Sequence, residues 1–191
     1  MPVWSAAYWE HMHAPYDSQT YQAALIHIHP NDVVLDIGAG DLRFARQVAA
    51  IATKVIAIEI NPTLLDRAMH AGPMPANLIT ICADAQTWDF PPGITTGVLL
   101  MRHCLHFRQY AEKLRTSGAQ RLITNARWRM GVDVVELRPE ARLPYASLEM
   151  GAYACWCGAV GFKPGPVEIL TPALLETTYE VVDCPHCLSN E

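Results

Sequence analysis

The residues of this 191-residue chain with the clearest chemical potential are found in three apolar runs. Asp36, Gly38 and Gly40 belong to the run VVLDIGAG, Glu59 ends the run KVIAIE, and Asp84 follows the run LITIC. Glycine allows a ligand to approach the backbone closely, and a helix that begins after the turn directs its N–H groups toward that ligand. Parallel strands that end side by side bring such residues to one crevice.

The glycine turn alone admits a phosphate, a dinucleotide or S-adenosylmethionine (SAM) as its ligand. A dinucleotide site has a third glycine in the pattern G-x-G-x-x-G, where this chain has Arg43. Asp36 would repel a phosphate and suits an ammonium group or a bound water. Glu59 suits the two hydroxyls of a ribose, and Asp84 suits an adenine amino group. Asp36 and Asp84 also fit roles as turn or cap residues.

The apolar pattern predicts strands that alternate with helices. The predicted strands are short buried-type runs at 32–37, 54–59, 77–82, 96–101 and 121–126. The predicted helices begin near Asp17 or Ser18, at Asp41, at Asn61 and near Tyr110. This order predicts an α/β fold with a Rossmann-like, mostly parallel sheet and helices on both faces.

The last third of the chain has a weaker pattern. We predict a long loop over the site at 128–145 and a helix over 146–160. Strands at 167–170 and 178–183 are expected to pair as an antiparallel C-terminal extension of the sheet. The whole chain, 1–191, is predicted to be a single domain.

The chain resembles the class I SAM-dependent methyltransferases. VVLDIGAGDLRFA resembles the first motif of that family, VIAIEINP the second and ICADAQTWDF the third, although Leu42 stands where many members have a third glycine. The resemblance implies that Asp36, Gly38 and Gly40 contact the methionine end of the cofactor. It implies that Glu59 and Ile60 contact the ribose, and that Asp84 and Ala85 contact the adenine. It also implies that residues 1–20 form an arm over the cofactor, with packing on the sheet edge as the alternative.

Candidate acceptor-side residues follow the fourth and fifth strands. The Asn/Asp-Pro-Pro-aromatic motif of the adenine-N6 and glutamine methylating members does not occur there, which disfavours those substrates. His103 and His106 are candidate bases, or else satisfy a helix start or pack under a loop. Arg102, Arg127 and Arg129 are predicted to converge on the crevice and bind an anionic acceptor, with surface ion pairs as the alternative. Arg102 is also a candidate cofactor contact.

Four of the six cysteines form two close pairs, Cys155 with Cys157 and Cys184 with Cys187. Four thiolates satisfy a closed tetrahedral zinc site, which we predict as a structural element. That hypothesis requires the predicted helix to end by Cys155, because two residues of a helix at this spacing diverge. A redox thiol pair and unrelated reduced cysteines are the alternatives.

The composition limits the classes of protein. The chain is 51% hydrophobic and 17% charged with a net charge of −5, which is typical of a folded globular protein and argues against a nucleic-acid coat protein. Its apolar runs are too short to cross a bilayer, and the first residues lack a secretory pattern, so a cytoplasmic location is expected.

The sequence therefore predicts a SAM-dependent methyltransferase that acts on a small, anionic acceptor, with no nucleic-acid or membrane partner. The cofactor is predicted to be SAM, with a structural zinc ion as a second candidate. Two alternatives stay open: a non-catalytic subunit or regulator that binds SAM or a nucleotide, and an NAD-dependent oxidoreductase.

Overall fold

The structure is a computed structural model that describes residues 16–102, 104–127, 131–138, 140 and 142–188. Its central sheet has six strands in the spatial order β3-β2-β1-β4-β5-β6. These strands are β1 Val33–Ile37, β2 Lys54–Glu59, β3 Leu78–Cys82, β4 Thr96–Leu99, β5 Arg121–Thr124 and β6 Asp133–Glu136. The first five strands pair in parallel and β6 pairs antiparallel with β5. The predicted mostly parallel α/β fold is confirmed.

Helices cover both faces of this sheet. They are α1 Ser18–Leu25, α2 Arg43–Ala49, α3 Pro62–His70 and α4 Phe107–Ser117. Successive residues of β1 point to opposite faces, so Val34 packs with α1, α2 and α3 while Leu35 packs with α4. Burial on both faces explains why the strands are continuous apolar runs without alternation.

Local sequence signals start the helices at defined residues. The Asn61 side chain accepts hydrogen bonds from the backbone N–H groups of Thr63 and Leu64, and Pro62 occupies the first turn of α3, as predicted. The predicted cap of α2 by Asp41 is shifted by one residue. The cap position is Leu42 in a left-handed conformation, while Asp41 pairs with Arg43.

A second sheet replaces the helix that we predicted over 146–160. Its order is β7-β10-β8-β9, with β8 and β9 antiparallel and β10 parallel to β8 and β7. These strands are β7 Leu143–Pro144, β8 Gly151–Cys155, β9 Val160–Lys163 and β10 Thr178–Val182. Gly158, at φ 97°, makes the turn between β8 and β9, a conformation that a helix does not contain.

Other expectations for the last third are also corrected. The segment predicted as a strand at 167–170 contains a single 3-10 turn, Val167–Ile169, followed by the short helix α5 Pro172–Glu176. The chain then continues into β10 and ends its described part in α6 Pro185–Leu188. The antiparallel strand of the central sheet is β6, which comes from the segment predicted as a loop, and not β10.

A buried ion-pair network joins the two sheets. The Arg127 side chain is fully buried, and its Nε donates to Asp133 Oδ2 of β6 at 2.7 Å. Its Nη1 and Nη2 donate to Glu180 of β10 at 2.9 and 2.7 Å, and Nη2 also contacts Asp133. Trp156, which follows β8, makes a second connection, because its indole Nε1 donates to Glu112 of α4 at 3.0 Å.

Among the described residues there is no helix with both the length and the apolar character that a bilayer-spanning segment requires.

The Arg127 network should dominate the stability of the junction between the sheets. We expect Arg127→Met to lower the free energy of unfolding by about 3–5 kcal/mol, because it leaves two carboxylates without their cationic partner in a partly buried site. The matched control is Arg138→Met, since Arg138 is 72% exposed and pairs with Glu136 at the surface. That change should leave the urea denaturation curve nearly unchanged, because an ion pair at the surface contributes little to stability. Equal effects of the two variants would contradict a structural role for the Arg127 network.

Candidate functional site

The glycine turn after β1 is tightly held and open on one side. The backbone N–H groups of Gly38 and Ala39 both donate to the Ile58 carbonyl at 2.9 Å. Gly38 has φ 73°, and a Cβ there would lie 2.9 Å from the Met101 methyl. Gly40 has φ 56°, and a Cβ there would meet no atom of the described residues within 4 Å. The turn therefore leaves free space in front of Gly40, where a ligand can contact the backbone.

The carboxylate of Glu59 organises this turn from the end of β2. Its Oε2 accepts from the Gly40 N–H at 2.9 Å, and its Oε1 accepts from the Asn61 N–H at 2.8 Å. Glu59 is only 8% exposed. Because each carboxylate oxygen can accept more than one hydrogen bond, both can still receive the hydroxyls of a ribose. Ile60 follows with a side chain that is 59% exposed.

Asp36 of β1 is the most perturbed acid of the site. It is buried, and its Oδ2 has no hydrogen-bond partner among the residues that the structure describes. Burial, and secondarily the nearby charge of Glu59, raises the pKa of Asp36 to about 7. A buried acceptor without a donor is costly in the free protein and is ready to bind a cationic or N–H-bearing group.

The loop after β3 is fixed by a lysine that the sequence did not single out. Asp84 Oδ1 accepts from the Gln86 N–H at 2.8 Å. Lys113 of α4 donates to the carbonyl oxygens of Ala85, Gln86 and Trp88 at 2.7, 2.9 and 2.7 Å. These contacts hold the Asp84–Ala85 segment in place. No local pattern marks Lys113, because its partners are more than twenty residues away.

The end of β4 presents Arg102 and His106. Arg102 is exposed, its N–H donates to the Tyr16 hydroxyl at 3.0 Å, and its guanidinium lies 4.9 Å from the centre of the Tyr16 ring. His106 is exposed at the start of α4 and makes no side-chain capping bond. Its ring meets Tyr110 edge-on at 6.4 Å. The described start of the chain thus packs beside Arg102, while His103 and Arg129 lie outside the described residues.

Arg127 does not take the position that we expected. Each of its three guanidinium nitrogens donates to Asp133 or Glu180, and its side chain is fully buried. It therefore offers no free fork to an anionic acceptor. The sequence could not show this because Glu180 is 53 residues away and belongs to a strand of the second sheet.

Asn125 is a second residue that sequence analysis did not select. It lies directly after β5 and is 7% exposed. In the described part of the chain, neither its Oδ1 nor its Nδ2 has a hydrogen-bond partner. Buried amides are normally satisfied. An amide left open at the carboxyl edge of the sheet is therefore available to both donate to and accept from a ligand.

The four paired cysteines converge, although the helix expected around the first pair is absent. Cys155 ends β8, and Cys157 lies in the following turn. Cys184 directly precedes α6, and Cys187 lies within α6. The Sγ atoms of Cys155 and Cys187 are 3.6 Å apart, those of Cys157 and Cys184 are 3.7 Å apart, and those of Cys184 and Cys187 are 3.9 Å apart. All four lie within 4.8 Å of one another.

A parallel sheet with a glycine turn after β1 and acids at the ends of β1, β2 and β3 defines a Rossmann-like fold. In such folds, ligands bind in the crevice at the carboxyl ends of the strands. Residues 34–123 match the family model described as a methyltransferase domain. The predicted resemblance to class I SAM-dependent methyltransferases is thus confirmed, and this part of the chain has the fold of that family. None of the curated proteins compared with the sequence gives a significant match.

The comparison with solved structures gives 487 significantly matching chains. They include YcgJ from Bacillus subtilis, with 16% identity, a TM-score of 0.48, and coverage of 56% of this chain and 50% of that one. A SAM-dependent methyltransferase from Mesorhizobium loti has 17% identity, a TM-score of 0.47, and coverage of 59% and 54%. A dimethyladenosine transferase from Plasmodium falciparum has 19% identity, a TM-score of 0.49, and coverage of 56% and 41%. The chain therefore spans about half of each of these structures.

Burial of Asp36 should make the stability of the free protein depend on pH. The pKa is about 7 in the folded chain and about 4 in the unfolded one, so unfolding releases a proton between these values. The stabilising contribution of the neutral acid is therefore lost as pH rises from about 4 to 7. We expect Asp36→Asn to be increasingly more stable than the wild type over that window, by on the order of a few kcal/mol at its upper end.

The measurement is urea denaturation of both proteins in the absence of ligand at several pH values. Asp89→Asn, at an exposed aspartate, is the control for the loss of one carboxylate. A constant difference between Asp36→Asn and the wild type across pH 4 to 8 would contradict the assignment.

Proposed function

We propose that this protein transfers a methyl group from SAM to a small-molecule acceptor. The observation that carries the proposal is the buried Asp36 with its unpartnered Oδ2, beside the open space in front of Gly40. The ammonium group of SAM is a donor of the kind that Asp36 lacks. Glu59 would receive the ribose hydroxyls, and Asp84 with Ala85 would hold the adenine, with Ile60 beside them.

SAM supplies the reactive methyl group on its sulfonium, so the chain mainly has to position the two reactants and exclude water. Gly38 and Gly40 leave the backbone accessible, and Lys113 keeps the loop around Asp84 and Ala85 in place. A zinc ion at the four cysteines would be structural and would take no part in the transfer.

The acceptor is proposed to bind beside the ends of β4 and β5. Arg102 offers an exposed cation there, and Asn125 offers a buried amide with both polar atoms open, which together suit a polar, anionic molecule. His106, with His103, is the proposed base for an acceptor that must lose a proton. Arg129 remains part of this proposal, whereas Arg127 is withdrawn from it because its nitrogens are already bonded.

The NAD-dependent alternative is less well supported. The third glycine position of a dinucleotide turn holds Arg43, whose side chain pairs with Asp41 at 2.8 Å. Asp36 places a carboxylate where a pyrophosphate would need only donors. The non-catalytic alternative shares the SAM site and differs only in whether an acceptor can enter beside it.

Calorimetric titration with S-adenosylhomocysteine tests the cofactor. We expect one molecule to bind per chain and Glu59→Ala to weaken binding at least tenfold, because the variant loses the ribose contacts and the bond that holds Gly40. Asp66→Ala is the control, since Asp66 lies on α3 with a side chain that is 76% exposed. NAD should give no heat. Tighter binding of NAD than of S-adenosylhomocysteine would overturn the proposal.

Gly40 gives a second test that separates binding from folding. Gly40→Ala places a methyl group in the open space, so we expect at least a tenfold loss of affinity for S-adenosylhomocysteine. Gly93→Ala is a matched control, because Gly93 also has a positive φ and open surroundings but precedes β4 at the opposite edge of the sheet. Both variants should lose about 1 kcal/mol of stability from backbone strain. Undiminished affinity in Gly40→Ala would place the ligand elsewhere.

A further inference from the structure

We infer that Cys155, Cys157, Cys184 and Cys187 form a closed structural zinc site. This site is separate from the proposed SAM crevice, and its support is the convergence of two cysteine pairs that are 27 to 32 residues apart. Cys155 and Cys184 are fully buried, while Cys157 and Cys187 are partly buried.

The fold brings the two pairs together through two neighbouring strands. β8 and β10 run parallel, and Cys155 is in register with Val181, so the chain leaves both strands at the same end of the sheet. Gly158 and Asp183 adopt left-handed conformations just beyond these strands. The Cys187 N–H donates to the Cys184 carbonyl at 2.9 Å, which closes the second turn. The cysteines therefore face each other as two short turns.

The sulfur positions match a tetrahedral ion. Zinc–sulfur bonds of about 2.3 Å place the sulfurs of a regular tetrahedron about 3.8 Å apart. Three of the six separations are 3.6, 3.7 and 3.9 Å, on both sides of that value, and all six are within 4.8 Å. A disulfide needs about 2.0 Å between sulfurs, so none of these pairs is bonded. The cysteines are free thiols placed at the distances of metal ligands.

The ligand set favours zinc and a structural role. Four thiolates are soft ligands that select zinc or iron over magnesium, calcium or manganese. A cluster of several irons would hold its cysteines farther apart than a single ion does. Catalytic zinc keeps one position open for water, whereas four cysteines fill the tetrahedron. The site therefore binds one ion and leaves no place for a substrate.

The contacts around the site show what the ion stabilises. Between the first two ligands, Trp156 packs into the cluster of buried residues that includes α4, and its indole donates to Glu112. Gly158 approaches Phe107 so closely that a Cβ would lie 3.2 Å from the Phe107 Cβ. The metal thus fixes the turn that docks the second sheet on α4. Asp36 and Glu59 belong to the central sheet and do not depend on this turn.

The first experiment measures metal content. The full chain is purified without a metal-affinity tag and desalted, and metals are quantified by mass spectrometry. We expect about one zinc per chain in the wild type and in Cys82→Ser, whose cysteine is exposed and outside the cluster. Cys184→Ser and Cys187→Ser should each lose most of the metal. Zinc that is absent after desalting, or equal in Cys184→Ser and wild type, would show adventitious binding and overturn the inference. Iron in place of zinc would overturn the choice of metal.

A second measurement uses the wild-type protein, so that it does not depend on whether the cysteine variants fold. Cells grown with cobalt should yield wild-type protein with the visible absorption of a tetrahedral cobalt–thiolate centre, which added zinc should abolish. Removal of the metal by a chelator should lower the melting temperature while affinity for S-adenosylhomocysteine changes less than threefold. Absence of the cobalt spectrum would contradict the zinc site but leave the proposed transferase function untouched. Failure of the metal-loaded protein to bind S-adenosylhomocysteine would contradict the proposed transferase function and leave the zinc site untouched.

Discussion

The structure depends on one buried carboxylate, that of Glu59. Its two oxygens accept from the N–H groups of Gly40 and Asn61, so one side chain holds both the glycine turn after β1 and the start of α3. An N–H group that donates to a carboxylate makes a stronger hydrogen bond than one that donates to a neutral acceptor. The space in front of Gly40 therefore has a fixed shape before any ligand enters, which reduces the entropy that binding must remove.

The same carboxylate creates a tension with Asp36. Two acids lie near each other in a buried site, and burial together with this neighbour raises the pKa of Asp36 toward neutrality. The unpartnered Oδ2 destabilises the free protein, and a ligand that donates a hydrogen bond to it would remove this cost. A cationic ligand relieves both the desolvation of Asp36 and its repulsion by Glu59. In the proposed function, this pair of acids would favour a positively charged cofactor over a phosphate-bearing one.

The sequence predicted the first two thirds of the fold because each signal there is local. Strands buried on both faces produce apolar runs, and Asn61 with Pro62 marks a helix start without reference to the rest of the chain. The helix predicted in the last third of the chain was wrong because the alanines around Tyr153 favour a helix locally. Pairing with β10 makes that segment a strand. Similarly, the partners of Arg127 and Lys113 are distant in sequence, so neither role was visible. Convergence of the four cysteines was predicted from their spacing, although their secondary structure was not.

Helix α4 explains how the two parts of the molecule work together. Lys113 holds the loop around Asp84 on one side, while Glu112 receives the indole of Trp156 on another. Phe107, at the start of the helix, meets the turn at Gly158. The residues proposed for SAM lie at the carboxyl ends of strands of the central sheet. In the described part of the chain, α4 and the Arg127 network join the second sheet to the central one. Sequence changes in the second sheet that keep these contacts should therefore leave the turn that Glu59 holds undisturbed.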